Sequence, residues 1–184
     1  MEGIILAAGM STRFPEYKML QKIDGVTLIE KTVTTMKPFV DKIIVVTGFN
    51  SHLIKQILST ERKVNFVEND NYKEGMYTSI KCGMNIASED VFLIPGDMAF
   101  VSNNTYKVLS QYKDDVVIPS YDMKAGHPIR LSYKVVKDIR TSNHKHLRAL
   151  LTEYKKKYIV VDDPYILVDI DTKEDLDKVR GRIR

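Results

Sequence analysis

Short runs of apolar residues recur along this chain, and each is continuous where a half-buried strand would alternate: GIILA at 3–7, KIIVV at 42–46, VNFV at 64–67, VFLI at 91–94, DVVIP at 115–119, YIVV at 158–161 and ILVDI at 166–170. Runs of this length, rich in Ile and Val, describe strands covered on both faces. Between them lie longer stretches with the period of a helix. Two of these open on capping boxes: Thr27 with Glu30 before LIEKTVTTM and, in similar fashion, Thr172 with Asp175. Each pair can satisfy helix N–H groups that otherwise lack a partner. Ser51 precedes HLIKQIL, and Ser102 or Asn103 can start a further helix. Strand, helix, strand, helix predicts an α/β fold of three layers, Rossmann-like, with a mainly parallel sheet and right-handed crossovers. A chain of 184 residues encloses one sizeable core and is short for two. No linker, internal repeat or low-complexity tract divides it, so residues 1–184 are read as a single domain. The stretch from Ser120 to Ser132, with Gly126, His127 and Pro128, is the expected place for an insertion or irregular loop.

Composition narrows the function. The single cysteine, Cys82, rules out an intramolecular disulfide framework and fits a reducing cytoplasm, where it serves as a small packing residue. A formal net charge of +4 suits anionic small molecules but falls short of the basic stripe of a nucleic-acid binder. The clusters EYKKKY and KVRGRIR are read as solvated surface. No charged-then-apolar leader precedes the first strand, and no apolar run approaches the ~20 residues of a membrane span. A cytoplasmic protein without membrane or nucleic-acid partners is expected.

In sheets of this kind ligands sit at the carboxyl ends of the strands. AAGMSTR follows the first run, PGDM follows VFLI, and DT follows ILVDI; these three ends can converge on one crevice. Ala7, Ala8 and Gly9 keep the first loop's backbone bare, so that something can approach its N–H groups. The loop is neither a P-loop nor a dinucleotide fingerprint, which need further glycines. Residues from Ala8 to Ser11 can still turn N–H groups toward phosphate oxygens, with Arg13 adding a planar fork and Lys18 a point charge. A tight turn carrying surface cations accounts for the same residues.

Asp97 stands at a strand end behind a Pro-Gly turn, and Asp169 and Asp171 fall on one face of the predicted last strand. Together such carboxylates fit a Mg²⁺ site that shares substrate phosphates. Separately, a turn-former and a helix N-cap neighbourhood explain them equally well. EGMYTSIKCG at 74–83 reads as a loop entering a helix, with Thr78 and Ser79 in its first turn and Gly75 placed to hold an anion or ribose. His127 precedes a proline in AGHPIRL, 125–131, with no second histidine at metal-like spacing. His144 and His146 fall in a polar loop. No Ser-His-Asp or Cys-His set can be assembled.

These residues resemble a known family. LAAGMSTRF with Lys18 is similar to the N-terminal motif of the MobA-like nucleotidyltransferases of the molybdenum-cofactor type, LAAG-x-S-x-R-(M/F)-G-x-x-K. GMYTSIKCG, PGDMAFV, GHPIRLS, HLRALL and DIDTKEDL resemble its later motifs in the same order, from residue 3 to residue 176. LAAG and GHP are similar to the cytidylyltransferase branch; the guanylyltransferase branch has LAGG, and Asn-x-Asn where this chain has Asp169 and Asp171. Pro15 stands where the family has glycine, and Ala99 where it has proline.

The resemblance implies a nucleoside triphosphate, CTP, over the first loop. Residues 7 to 13, among them Ala7, Ala8, Gly9, Ser11 and Arg13, would hold its phosphates together with Lys18; Gly75, Met76 and Ser79 would hold its base or ribose. Leu6 and Asp97 also belong to the implied nucleotide-binding set. Asp97 and Asp171 would bind Mg²⁺. Arg13, Lys18 and Asp97 form the implied catalytic set, and Gly126, His127 and Arg130 face the acceptor. That acceptor would be molybdenum cofactor, with a molybdoenzyme as recipient of the product. A phosphate monoester loses its second proton near pH ~6, so it can attack an α-phosphorus at pH 7 without a general base. Positioning and charge neutralisation are then the whole of catalysis. The same nucleotide half would serve another acceptor, such as a sugar phosphate or phosphocholine. It would also serve a nucleotide-binding module without turnover.

Overall fold

Ile and Leu fill the run from Glu2 to Ala7, and all six of its residues are buried. A computed structural model of the chain describes residues 1–10, 17–170, 172, 174–177 and 179. The elements follow in order: β1 (Glu2–Ala7), β2 (Lys22–Ile23), β3 (Val26–Thr27), α1 (Leu28–Met36), β4 (Lys42–Thr47), α2 (Ser51–Ile57), β5 (Val64–Glu68), α3 (Met76–Ile86), β6 (Val91–Pro95), α4 (Asn103–Leu109), β7 (Val116–Tyr121), β8 (Lys124–Ala125), β9 (Ile129–Leu131), α5 (Tyr133–Thr141), α6 (Leu147–Leu150) and β10 (Lys156–Val160). The central sheet runs β10-β7-β9-β6-β1-β4-β5, with β8 paired to β7. Most of its pairs are parallel; β9 runs antiparallel to both β6 and β7.

Alternate residues of the inner strands β1, β4 and β6 feed two separate cores, which is why their runs are apolar throughout. The edge strand β10 leaves Tyr158 and Val160 exposed and is not covered on both faces as expected. Ile5, Ile43, Val45, Phe92 and Ile94 pack with Val33 and Met36 of α1, Ile54 of α2 and Tyr106 of α4. Their neighbours Ile4, Ile44, Val46, Val91 and Leu93 pack on the other face with Met84 of α3 and Val136 of α5. Helices on both faces of one sheet make the three layers expected. The Thr27 box forms as predicted: Glu30 N donates to the Thr27 hydroxyl at 3.3 Å, and Thr27 N donates to the Glu30 carboxylate at 2.9 Å. The Thr27 hydroxyl, which donates to the Glu30 carboxylate at 2.6 Å, holds that carboxyl below its usual range, and the Thr27 N–H bond adds to the effect. Thr172 and Asp175 exchange the same pair of bonds. Ser51 is the first residue of α2 rather than its cap, and its hydroxyl donates to Glu68.

Two expectations are corrected. Residues 166–170 form no strand. Pro164–Leu167 is a 3-10 turn instead, because the Asp163 carboxylate accepts from Tyr165 N and Pro164 brings a helical φ without a ladder donor. Ile170 then packs with Ile23, Leu28 and Leu176 in a small third cluster. Asp169 therefore stands on no strand face, and Asp171 lies outside the described residues. The segment 120–132 is more regular than expected: β7 turns into β8 through Asp122 and Met123, both at positive φ, and β9 follows.

Candidate active site

From β1 the chain winds outward through β4 to β5, then returns to pair β6 on the other side of β1. The order of strands thus reverses between β1 and β6, and in open α/β sheets the ligand crevice opens at that point. A cavity of about 620 Å³ lies there, bounded by the carboxyl ends of both strands, a size suited to a small ligand. Three bonds fix the floor. Gly96 N donates to Leu6 O at 2.9 Å, Tyr17 Oη to Ala7 O at 3.0 Å, and Phe49 N to Ala8 O at 3.3 Å. The Thr32 hydroxyl of α1 lies 2.9 Å from Gly96 O and steadies the turn that carries Asp97.

The centre of the cavity is an ion pair. Lys18 Nζ stands 2.5 Å from Asp97 Oδ2, and the two residues are only 8% and 9% exposed. Asp97 Oδ1 is buried with no hydrogen-bond partner among the described residues. A buried carboxylate oxygen without a partner can accept a proton donor or meet a cation from a ligand. Asp169 lies on the same wall. Among the described residues no group of three or more His, Cys, Asp or Glu side chains could hold a metal by itself. Any cation there must complete its shell from substrate and water, as Mg²⁺ commonly does.

Opposite, Ser79 enters from the first turn of α3. Asn69 Nδ2 donates to Ser79 Oγ and to Thr78 Oγ1, both at 2.9 Å, so Ser79 keeps its own proton to donate. His127, joined to Pro128 by a cis peptide bond, closes the far side. Its ring Nδ1 is buried without a partner. Burial pushes the imidazole below its usual value, against a backbone bond at Leu93 and the negative charges of Asp97 and Asp169. Gly126 is required beside it, since a Cβ there would meet Ile166 O at 2.3 Å.

Of the residues the sequence singled out, Leu6, Ala8, Gly9, Lys18, Met76, Ser79, Asp97, Gly126 and His127 line this one cavity. Ala7 sits in the core, where its methyl group packs with Ile5 and Met19. Gly75 lines a neighbouring cavity. Arg130 is a correction: its guanidinium is buried at the opposite end of β6, 2.5 Å from the Asp90 carboxylate and 2.8 Å from Asp114 O, and faces no acceptor. Ser11, Arg13 and Asp171 lie outside the described residues. Sequence reasoning missed Tyr72, Met98 and Ile166 as wall residues. For Ile166 the signal was present, since a proline-led turn brings its carbonyl to His127 N at 2.9 Å.

The sequence profile of the MobA-like NTP transferase domain matches residues 3–158. A molybdenum cofactor cytidylyltransferase of Escherichia coli is 26% identical over 185 residues, covering 99% of this chain and 96% of that protein. A probable molybdenum cofactor guanylyltransferase of Bacillus cytotoxicus is 28% identical over 94% of this chain and 92% of its own length. The structure of a nucleotidyl transferase from Methanothermobacter thermautotroptrophicus superposes with a TM-score of 0.86 at 23% identity, covering 98% of this chain and 96% of that one. With the profile spanning most of the chain and Ala8, Lys18, Ser79, Asp97 and His127 on one cleft, this protein is a nucleotidyltransferase of the MobA-like NTP transferase family.

Proposed function

We propose that the protein transfers CMP from CTP onto a phosphorylated acceptor, molybdenum cofactor, with release of pyrophosphate. The observation that carries this reading is the Lys18–Asp97 pair at the switch point of the sheet, with Asp97 Oδ1 buried and without a hydrogen-bond partner among the described residues. A Mg²⁺-class cation fits that hard oxygen; Asp97 and Asp171 would hold it, with Asp169 on the same wall, and it would neutralise charge on the triphosphate. Lys18, with Arg13, offsets the remaining phosphate charge, and the bare backbone of Ala8 and Gly9 lets the phosphates approach. Ser79 donates to the base or ribose. His127, neutral at pH 7, orients the acceptor beside Gly126 and moves no proton. The acceptor phosphate attacks the α-phosphorus in line, the bond to the β-phosphate oxygen breaks, and pyrophosphate carries the electron pair away.

CTP as donor rests on LAAG and GHP, which are similar to the cytidylyl branch. The test is pyrophosphate release with each of the four NTPs and Mg²⁺, with and without molybdenum cofactor, a sugar phosphate or phosphocholine. Acceptor-dependent release with CTP and molybdenum cofactor is expected. Release with GTP at equal efficiency contradicts the choice of base, and release with only another acceptor contradicts the choice of acceptor. No acceptor-dependent release with any pair contradicts transfer altogether.

A further inference from the structure

Asn69 stands directly after β5, behind the wall of the cleft and only 5% exposed. Its backbone N–H donates to Thr47 O at 2.8 Å, which ties it to the carboxyl end of β4. Its side-chain amide has one orientation that satisfies its neighbours. Oδ1 accepts from Asn71 N at 3.0 Å, and Nδ2 donates to Thr78 Oγ1 and Ser79 Oγ, each at 2.9 Å. A flipped amide would set Nδ2 against the Asn71 N–H, donor against donor. The two hydroxyls differ in what is left to them. Thr78 Oγ1 gives its proton to the backbone, with Gly75 O at 2.9 Å and Asn71 O at 3.0 Å in reach. Ser79 Oγ accepts from Asn69 and has no acceptor for its own proton among the described residues. The outlet for that proton is the cleft, whose wall Ser79 lines.

We propose that Asn69 is a positioning residue for nucleotide binding: it holds the Ser79 hydroxyl as a donor toward the cleft, so that this position selects an acceptor atom of the nucleoside. A carbonyl oxygen, a ribose oxygen or a bare ring nitrogen meets that requirement. The proposal rests on the reading of Ser79 as a contact to base or ribose, and adds the polarity of that contact and the residue that sets it. A serine hydroxyl is by itself ambivalent, able to donate or to accept. With Asn69 occupying one lone pair, a ligand N–H at the same place would leave the Ser79 proton without an acceptor in a buried position, and an unmade bond there costs more than a made one returns. Asn69 touches no ligand; it acts on the nucleotide through Ser79 alone.

The test is a double-variant cycle of Asn69→Leu and Ser79→Ala. Equilibrium binding of each of the four NTPs with Mg²⁺ is measured by calorimetry, and the tightest is carried through the cycle. Each single variant is expected to weaken binding roughly 5- to 10-fold, the scale of one net hydrogen bond. The double variant is expected to stay within about twofold of Ser79→Ala. Losses that multiply overturn the proposal, as does full affinity in either single variant. Thr78→Val removes the other partner of the amide and should bind within about twofold of wild type; a loss equal to that of Asn69→Leu overturns the route through Ser79. Asn69→Asp keeps the bond to Asn71 N, should Asn69→Leu not fold, and takes the Ser79 proton as an acceptor. Its cost in nucleotide affinity should shrink at least about threefold once Ser79→Ala is also present, and an unchanged cost overturns the proposal. A wild type that binds no NTP overturns it as well. A wild type that binds one yet releases no pyrophosphate with any acceptor refutes the transfer reading alone, and the cycle still tests Asn69.

Discussion

His127 shows how burial sets the charge of one residue. Its pKa lies below the ordinary 6.5 because burial outweighs the attraction of Asp97 and Asp169 for a protonated ring. In the unfolded chain the same ring titrates near its ordinary value. Below that value the unfolded state therefore holds a proton that the folded state does not. The stability this represents is complete above pH ~6.5 and is lost as pH falls through the folded value. The wild type should lose more of its melting temperature between pH 7.5 and pH 5.5 than His127→Gln does. Equal losses in the two proteins, read by thermal unfolding, would show that the ring is not held neutral. The residues legible in the sequence were those whose cause is local. Thr27 and Glu30 lie three apart and find each other in the first turn of α1. Arg130 was misread because its partner, Asp90, is forty residues away.

At the scale of the element, β9 explains that misreading. GHPIRL puts His127 and Arg130 in one short segment, yet the strand runs antiparallel to β6 and carries them to opposite ends of it. His127 stays at the cleft near Asp97, while Arg130 reaches the amino end of β6. There Asp90 also accepts from Tyr133 N, at 2.8 Å, and so ties β6, β9 and α5 together. Arg130→Ala should cost ~2 kcal/mol, less than a fully enclosed pair because Asp90 is one-third exposed. In a chain of this size that is a fall of roughly 4–8 °C in melting temperature. The KM for acceptor should stay within about twofold. A stable Arg130→Ala protein with a raised acceptor KM would restore the sequence-based role. The turn at 164–167 teaches a similar lesson: ILVDI has the composition of a strand, but Pro164 and Asp163 commit the backbone before the run begins.

At the scale of the whole molecule, six of the seven apolar runs became strands with small shifts at their ends, and in the inner strands burial on two faces leaves a mark in every residue. Sheet order leaves no such mark. That β6 returns beside β1, and so brings Pro95 and Asp97 against Leu6 and Lys18, is a property of topology alone. The central claim is that the pair formed there exists for chemistry and not to hold the fold. Asp97→Asn by itself cannot decide this, since it leaves the buried Lys18 ammonium facing an amide, and losing one partner of a buried pair destabilises. The decisive measurement is turnover and melting temperature together, for Asp97→Asn and for Lys18→Met/Asp97→Asn. Removing both charges of a buried pair is often neutral or stabilising. The double variant should therefore recover most of the melting temperature lost in Asp97→Asn, while both remain at least ~100-fold below wild type in acceptor-dependent pyrophosphate release. A double variant that regains turnover along with stability would contradict the account.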